Sequence, residues 1–175
     1  MQQAQGLIMV FTGNGKGKTT AALGMAVRAR GQGLRVLVLQ FIKGGQSYGE
    51  LEALGALGIE IRPLGLGFVR NATPEQMEEH RAAARAALDE VRREMLSGRW
   101  DMLVLDEINY AVHFGLLEEQ DVLALLAAKP PALHLVLTGR YARPAVVERA
   151  DLVSEIHEVK HPFARGVPAQ KGVEF

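Results

Sequence analysis

The segment Gly13-Asn14-Gly15-Lys16-Gly17-Lys18-Thr19 packs glycines, lysines and a hydroxyl into one short stretch. Glycines let backbone N–H groups crowd around an anion without Cβ clashes. Lys18 adds a full positive charge, and the Thr19 hydroxyl can ligate Mg²⁺. Residue types in this order suit one task, holding the triphosphate of a nucleotide, with ATP as the expected one. The strict P-loop pattern places a glycine at position 12, where this chain has Thr12, so the match is one residue short. A plain glycine turn between a strand and a helix is the structural alternative, and the ending Gly17-Lys18-Thr19 argues against it. A dinucleotide-binding loop is excluded. The spacing is G-x-G-x-G, and the next strand ends in Gln40-Phe41 without an acidic ribose ligand.

A second chemical segment is Asp106-Glu107, after the apolar run Met102-Leu103-Val104-Leu105. A carboxylate at a strand end near a P-loop can hold Mg²⁺ directly or through water. Thr19, Asp106 and Glu107 are therefore the candidate metal ligands. Glu107 could instead orient an attacking water, and Asp106 could simply cap a helix over Glu107 to Phe114. Arg140, in Thr138-Gly139-Arg140, could contact a phosphate bidentately or stand as a solvated loop arginine. Phe68, in Gly65-Leu66-Gly67-Phe68, could stack on a flat ligand or pack under its loop. Lys43 and Glu50 occupy another candidate ligand loop. The run His157-Glu158-Val159-Lys160-His161 matches H-E-x-x-H, but Pro162 prevents the helical turn that zinc ligation needs. On an extended chain the two rings would stand roughly 13 Å apart.

The elements that must position these groups follow from hydrophobic period. Short apolar runs predict strands at Leu7 to Phe11, Arg35 to Phe41, Ile59 to Arg62, Met102 to Leu105 and Leu133 to Leu137. Helices are predicted over Thr19 to Arg30, Tyr48 to Leu57, Glu118 to Ala128 and Pro144 to Arg149. The clearest helix starts at a capping box, Thr73 with Gln76, has Pro74 at its first position and ends at Gly98. A last extended segment spans Val153 to Val159, and the tail from Pro162 to Phe175 has no clear period. Fully apolar strands alternating with helices predict an α/β fold: a three-layer, mostly parallel sheet with helices on both faces, in one domain over residues 1–175. The glycine loop, Asp106-Glu107 and Thr138-Gly139-Arg140 then converge at the carboxyl ends of the strands, where such sheets bind ligands.

Composition narrows the partners. Lys plus Arg equals Asp plus Glu at 20 each, so the formal net charge is zero and a broad basic face for nucleic acid is not expected. Cysteine is absent, which removes disulfides, Cys-zinc sites and thiol nucleophiles and fits the cytoplasm. The polar start Met1 to Gln5 does not read as a signal peptide, and no run approaches the ~20 apolar residues of a membrane span.

Together these landmarks point to a family. The run Val10 to Ala22 resembles the P-loop-type corrinoid adenosyltransferases. So do Gln40-Phe41-Ile42-Lys43-Gly44, Gly67-Phe68, Val104-Leu105-Asp106-Glu107, Thr138-Gly139-Arg140 and Val159-Lys160-His161-Pro162-Phe163, with Gly166, Ala169-Gln170 and Gly172. A loop opening Thr-Gly-Asn-Gly is itself family-like. The resemblance implies a RecA-like P-loop NTPase fold. It implies transfer of the 5′-deoxyadenosyl group of ATP to Co(I) of a reduced corrinoid, with triphosphate leaving. The corrinoid carries the hard chemistry and the protein supplies alignment and leaving-group stabilisation.

By the same resemblance, residues Gly13 to Thr20, with Lys43, Glu50 and Arg140, bind ATP, which lies reversed in the loop. Thr19 and Glu107 hold Mg²⁺ or Mn²⁺, and Lys18, Glu107 and Phe68 act at the reacting centre. Phe68 matches one of two family aromatics that displace the lower axial ligand of cobalt; the second falls at Arg70. An electron donor such as a flavoprotein and a homodimer are expected. An N-terminal lid is expected to be absent or built differently, because only Met1 to Gly6 precede the first strand. The rival expectations are a RecA-like ATP hydrolase and a nucleotide-dependent binding module.

Overall fold

A computed structural model describes residues 5–44, 48–69 and 71–174. The expected lid region before Gln5, the middle of the loop between Lys43 and Gly49, Phe175 and the position of Arg70 lie outside the described residues.

Runs of apolar residues too short for helices become strands, because only a sheet pairs their backbone groups when both faces are buried. In chain order the elements are β1 (Ile8–Thr12), α1 (Lys18–Gly31), β2 (Val36–Gln40), α2 (Gly49–Ala56), β3 (Glu60–Pro63) and α3 (Pro74–Leu96). They continue as β4 (Met102–Asp106), α4 (Ile108–His113), α5 (Glu119–Ala127), β5 (His134–Thr138), α6 (Pro144–Arg149) and β6 (Leu152–Glu155), with a 3₁₀ turn over Pro162–Arg165. The strands form one six-stranded sheet in the order β3-β2-β4-β5-β1-β6. Every pairing is parallel, so the sheet is more uniform than the mostly parallel one expected.

Alternate strand residues feed two separate cores. Ile8, Val10, Leu37, Leu39, Leu103, Leu105, Leu135 and Leu137 pack against Ala84, Leu88 and Val91 of α3, Ile108 of α4, Val122 of α5 and Val146 of α6. Met9, Phe11, Val36, Val38, Met102, Val104 and Val136 pack against Ala22, Ala26 and Ala29 of α1 and Leu54 of α2. The two-residue period of a strand sends neighbours to opposite faces, which yields helices on both sides. The alanine stripe lets α1 lie close on the sheet. Truncating a fully buried leucine such as Leu105 to alanine costs about 2–5 kcal/mol by transfer and cavity effects together.

The longest helix, α3, begins as its sequence predicts: Thr73 accepts from the Gln76 backbone, and the Gln76 side chain accepts from the Thr73 N–H. Three boundaries differ usefully from expectation. β1 runs one residue further, to Thr12, and α1 begins at Lys18 rather than Thr19, which leaves a tight loop of five residues, 13–17. β6 stops at Glu155 rather than continuing to Val159. Beyond it the chain turns onto the glycine loop: Ile156 N donates to Thr12 O at 2.9 Å, and Gly15 N donates to Ile156 O at 2.7 Å.

Strand register sets the working edge. Gln40 lies beside Asp106, Phe11 beside Thr138, and Thr12 beside Glu155. All of these are at carboxyl ends. β5 separates β1 from β4, so the glycine loop and Asp106 face each other across the end of β5.

Candidate nucleotide site

The glycine loop is shaped by both backbone and neighbours. Gly17 has φ 118°, a conformation closed to ordinary side chains, and open space where a Cβ would stand. Gly13 and Gly15 are required for a different reason. A Cβ on either would lie 2.4 or 2.8 Å from the Ile156 carbonyl oxygen. Segment 155–158 therefore fixes two of the three glycines, a constraint that no local pattern reveals.

At the start of α1, Gly17 brings no capping side chain, so the first N–H groups of the helix point outward unclaimed by a cap. Such an end is a ready anion site. Lys18 is buried and its Nζ donates to Gly15 O at 2.6 Å. Burial lowers the Lys18 pKa, Glu107 and Asp106 oppose that, and Arg140 adds to it. An anion seated on the loop would restore the positive form.

Thr19, Asp106 and Thr138 form one hydroxyl–carboxylate knot. Asp106 Oδ1 accepts from Thr19 Oγ1 and from Thr138 Oγ1, each at 2.8 Å, and Oδ2 accepts from Gln40 Nε2 at 3.1 Å. Asp106 is only 1% exposed, so three donors already engage its carboxylate. That arrangement rules out the helix-capping alternative, since Asp106 ends β4 and Glu107 takes the cap position of α4. Asp106, expected among the metal ligands, accepts the hydrogen bond of the Thr19 hydroxyl and so ties that side chain to the carboxyl end of β4.

Glu107 adopts φ 62°, uncommon for a side chain other than glycine. Its N–H donates to Thr138 Oγ1 at 2.9 Å, which anchors the kink. Gly139 makes room for it: a Cβ there would meet Glu107 Oε2 at 3.2 Å and Tyr110 N at 2.8 Å. Burial, and then the negative charge of Asp106, push the Glu107 pKa up to about 7, against the pull of Lys18, Arg140 and Lys43. A half-buried carboxylate of this kind, near a hydroxyl already aligned by a second carboxylate, is a hard-oxygen donor set that suits Mg²⁺ or Mn²⁺.

The remaining candidates spread around this centre. Arg140 is exposed, yet its charge acts on both Lys18 and Glu107. Lys43 pairs with Glu50 and lies 4.5 Å from the centroid of the Tyr48 ring, and its charge also reaches Glu107. Lys16 pairs with Glu174 at 2.7 Å, and Asn14 Oδ1 accepts from Glu158 N at 3.1 Å. Thr20 is exposed one residue into α1 past Thr19. Among the described residues, two buried side-chain polar atoms lack a protein hydrogen-bond partner, Gln40 Oε1 and Asn109 Nδ2, and both residues belong to this edge of the sheet.

Phe68 is 51% exposed and meets the Tyr110 ring edge-on, with centroids 5.4 Å apart. Tyr110 stacks on Phe114 at 4.2 Å, His113 meets Phe114 edge-on at 4.9 Å, and His113 stacks on Tyr141 at 3.9 Å. A continuous aromatic arc thus runs from the loop after β3, across α4, to the loop after β5. Sequence reasoning finds only Phe68 of these five rings. It also misses Thr138 and Gln40 as partners of Asp106, because residues so far apart in sequence meet only through strand order.

His157 and His161 serve separate tasks. No helix joins them; His157 lies 3.8 Å from Glu155, and His161 Nδ1 accepts from Phe163 N at the 3₁₀ turn.

Comparison with known proteins agrees with this geometry. Residues 4–175 match the family model described as ATP:corrinoid adenosyltransferase BtuR/CobO/CobP. A corrinoid adenosyltransferase of Pseudomonas aeruginosa is 42% identical over 173 residues, covering 98% of this chain and 84% of that protein. One from Salmonella typhimurium is 41% identical over 174 residues, covering 99% and 88%. The cytoplasmic domain of the Thermomonospora curvata type VII secretion ATPase EccC superimposes with a TM-score of 0.50 at 17% identity, covering 98% of this chain and 23% of that one. That likeness concerns the fold.

Proposed function

This chain belongs to the ATP:corrinoid adenosyltransferase family, and on that premise we propose how its residues carry out the transfer. The reaction moves the 5′-deoxyadenosyl group of ATP onto the cobalt of a reduced corrinoid. The Co(I) electron pair forms the new bond to C5′. The C5′–O bond breaks, and its electrons depart with the triphosphate oxygen. No protein nucleophile is required, so the protein's work is alignment and charge stabilisation.

The observation that carries this reading is the Thr19–Asp106–Thr138 knot set against the open N-terminus of α1 and the buried Lys18. Residues 13–20 bind the triphosphate, and the loop N–H groups with Lys18 stabilise charge gathering on it as it leaves. Thr19 and Glu107 hold Mg²⁺, with Asp106 acting through Thr19; the cation, when bound, neutralises phosphate charge. Arg140 and the Lys43–Glu50 pair line the approaches. Phe68, backed by Tyr110, supports the corrinoid face. This reading takes the protein as one nucleotide-binding domain, working in the cytoplasm as a homodimer with a flavoprotein as electron donor. Among the described residues no helix is long and apolar enough to cross a membrane.

The raised Glu107 would also suit a base in an ATP hydrolase. The two readings separate in an assay with Mg-ATP and chemically reduced corrinoid. Adenosyl transfer yields a light-sensitive cobalt–carbon bond, visible in the corrinoid spectrum. Orthophosphate release without that bond would refute the transferase assignment.

A further inference from the structure

The chain after β6 returns to the glycine loop twice. The first return is through backbone: Ile156 O accepts from Gly15 N at 2.7 Å, and Glu158 N donates to Asn14 Oδ1 at 3.1 Å. The second comes from the tail. Gly166, with φ 75°, ends the 3₁₀ turn over Pro162–Arg165, and Gly172, with φ 78°, lies in a further turn. There Glu174 N donates to Gln170 O at 2.8 Å, and Val173 N donates to the same oxygen at 3.1 Å. This closed turn holds the Glu174 carboxylate 2.7 Å from the Lys16 ammonium, across 158 residues of sequence.

The two loop lysines are therefore held differently. Lys18 donates to a backbone oxygen, Gly15 O, whereas Lys16 carries a carboxylate. The side chains of Lys16 and Glu174 are 42% and 21% exposed, so solvent screens the pair and it is a weak one. A triphosphate offers Lys16 several charged oxygens in place of one carboxylate. Once Lys16 turns to it, Glu174 is left beside a like charge, and the two repel. The reaction has a use for such repulsion. Triphosphate must be gripped while the C5′–O bond breaks and released before the next ATP enters. The loop N–H groups, Lys18 and a cation all favour the grip.

We propose that Glu174 competes with triphosphate for Lys16 and so sets how readily this product leaves. The proposal rests on the reading that residues 13–19 hold the triphosphate. Glu174 is a positioning residue, acting on the leaving group through Lys16.

The test measures tripolyphosphate binding by calorimetry, and inhibition of turnover by tripolyphosphate, on the full chain. The variants are Glu174→Gln, Lys16→Gln, the two combined, and Glu158→Gln as a second tail carboxylate near the loop. Tripolyphosphate has two identical ends, so the result does not depend on which way ATP lies. Glu174→Gln should bind it up to about fivefold more tightly, the scale of a partly exposed ion pair, and should be inhibited at lower concentrations than the parent. The gain should vanish in the Lys16→Gln background and shrink at high salt. Glu158→Gln should match the parent. A tail that merely braces the loop gives the opposite sign. Weaker or unchanged binding in Glu174→Gln would overturn the proposal, as would the same gain without Lys16 or in Glu158→Gln. Lys18→Ala separates this failure from that of the loop reading. If tripolyphosphate binds the parent no better than Lys18→Ala, the loop reading falls and the proposal with it. If Lys18→Ala loses binding while Glu174→Gln matches the parent, the loop reading stands and Glu174 alone is excluded.

Discussion

The Thr19 hydroxyl donates a 2.8 Å hydrogen bond to Oδ1 of Asp106, 87 residues further along the chain. This contact couples the first turn of α1 to the end of β4. Because the same oxygen also accepts from Thr138, the ends of three elements share one carboxylate atom.

That knot predicts different outcomes for two changes at one position. Asp106→Asn keeps the oxygen that serves the hydroxyls. Its new amide would face Gln40, whose Oε1 lacks a protein partner and can rotate in to accept. Stability should change little, while Mg²⁺ affinity falls about 10–100-fold, as for other residues that support a metal ligand. Asp106→Ala leaves buried donors unpaired and should cost about 1–3 kcal/mol or more. Thermal melts and Mg²⁺ titrations of the two variants check the contrast.

Lys18→Ala should reduce adenosylation about 100-fold or more, the usual consequence of removing a preorganised charge from a leaving group. Lys18→Arg should not restore it. The ammonium reaches Gly15 O as a compact point charge from a buried position, which the larger planar guanidinium fork does not reproduce. Steady-state rates on both variants, with melts to confirm folding, decide this.

Glu107 gives a pH prediction. Its pKa of about 7 in the folded chain lies above the ordinary 4.5. Between those values the folded state keeps a proton that the unfolded state has lost. Stability is therefore highest below the lower value and falls as pH rises through the window. The full difference is on the order of 3 kcal/mol, an upper figure for a partly exposed group. Glu107→Gln should abolish that slope and melt higher than the parent at about pH 8, while losing activity. For the parent, added Mg-ATP should raise the melting temperature more at about pH 8 than at about pH 6, because ligation requires the carboxylate. Melts across this range provide the comparison.

Phe68→Ala should chiefly damage the corrinoid step, leaving ATP affinity within about twofold of the parent. Tyr110→Leu removes the ring that meets Phe68 edge-on and should produce a milder form of the same defect. KM for corrinoid, measured beside ATP binding, separates the two substrates. A matching loss of ATP affinity in Phe68→Ala would remove Phe68 from the corrinoid face.

Much of the site is legible in the sequence. The glycine loop, Asp106-Glu107 and Arg140 each sit at a strand end because apolar runs stop there, and period alone locates those stops. Thr12 in place of the expected glycine is readable only through family resemblance. Other features depend on strand order, which periodicity does not encode. β5 lies between β1 and β4, and only that order brings Thr138 to Asp106. Gly13 and Gly15 look like phosphate-loop glycines, yet the chain after β6 also demands them. Tyr141 carries no local signal, since its place in the aromatic arc depends on His113, which is distant in sequence.

The central claim is that the loop from Gly13 to Thr19 holds triphosphate as a leaving group. Phosphorus NMR of the products, taken after one turnover with Mg-ATP and a reduced corrinoid, tests it most directly. The prediction is intact tripolyphosphate in equal amount to adenosylated corrinoid. ADP with orthophosphate, formed whether or not corrinoid is present, would contradict it and place the broken bond between phosphates instead of at C5′.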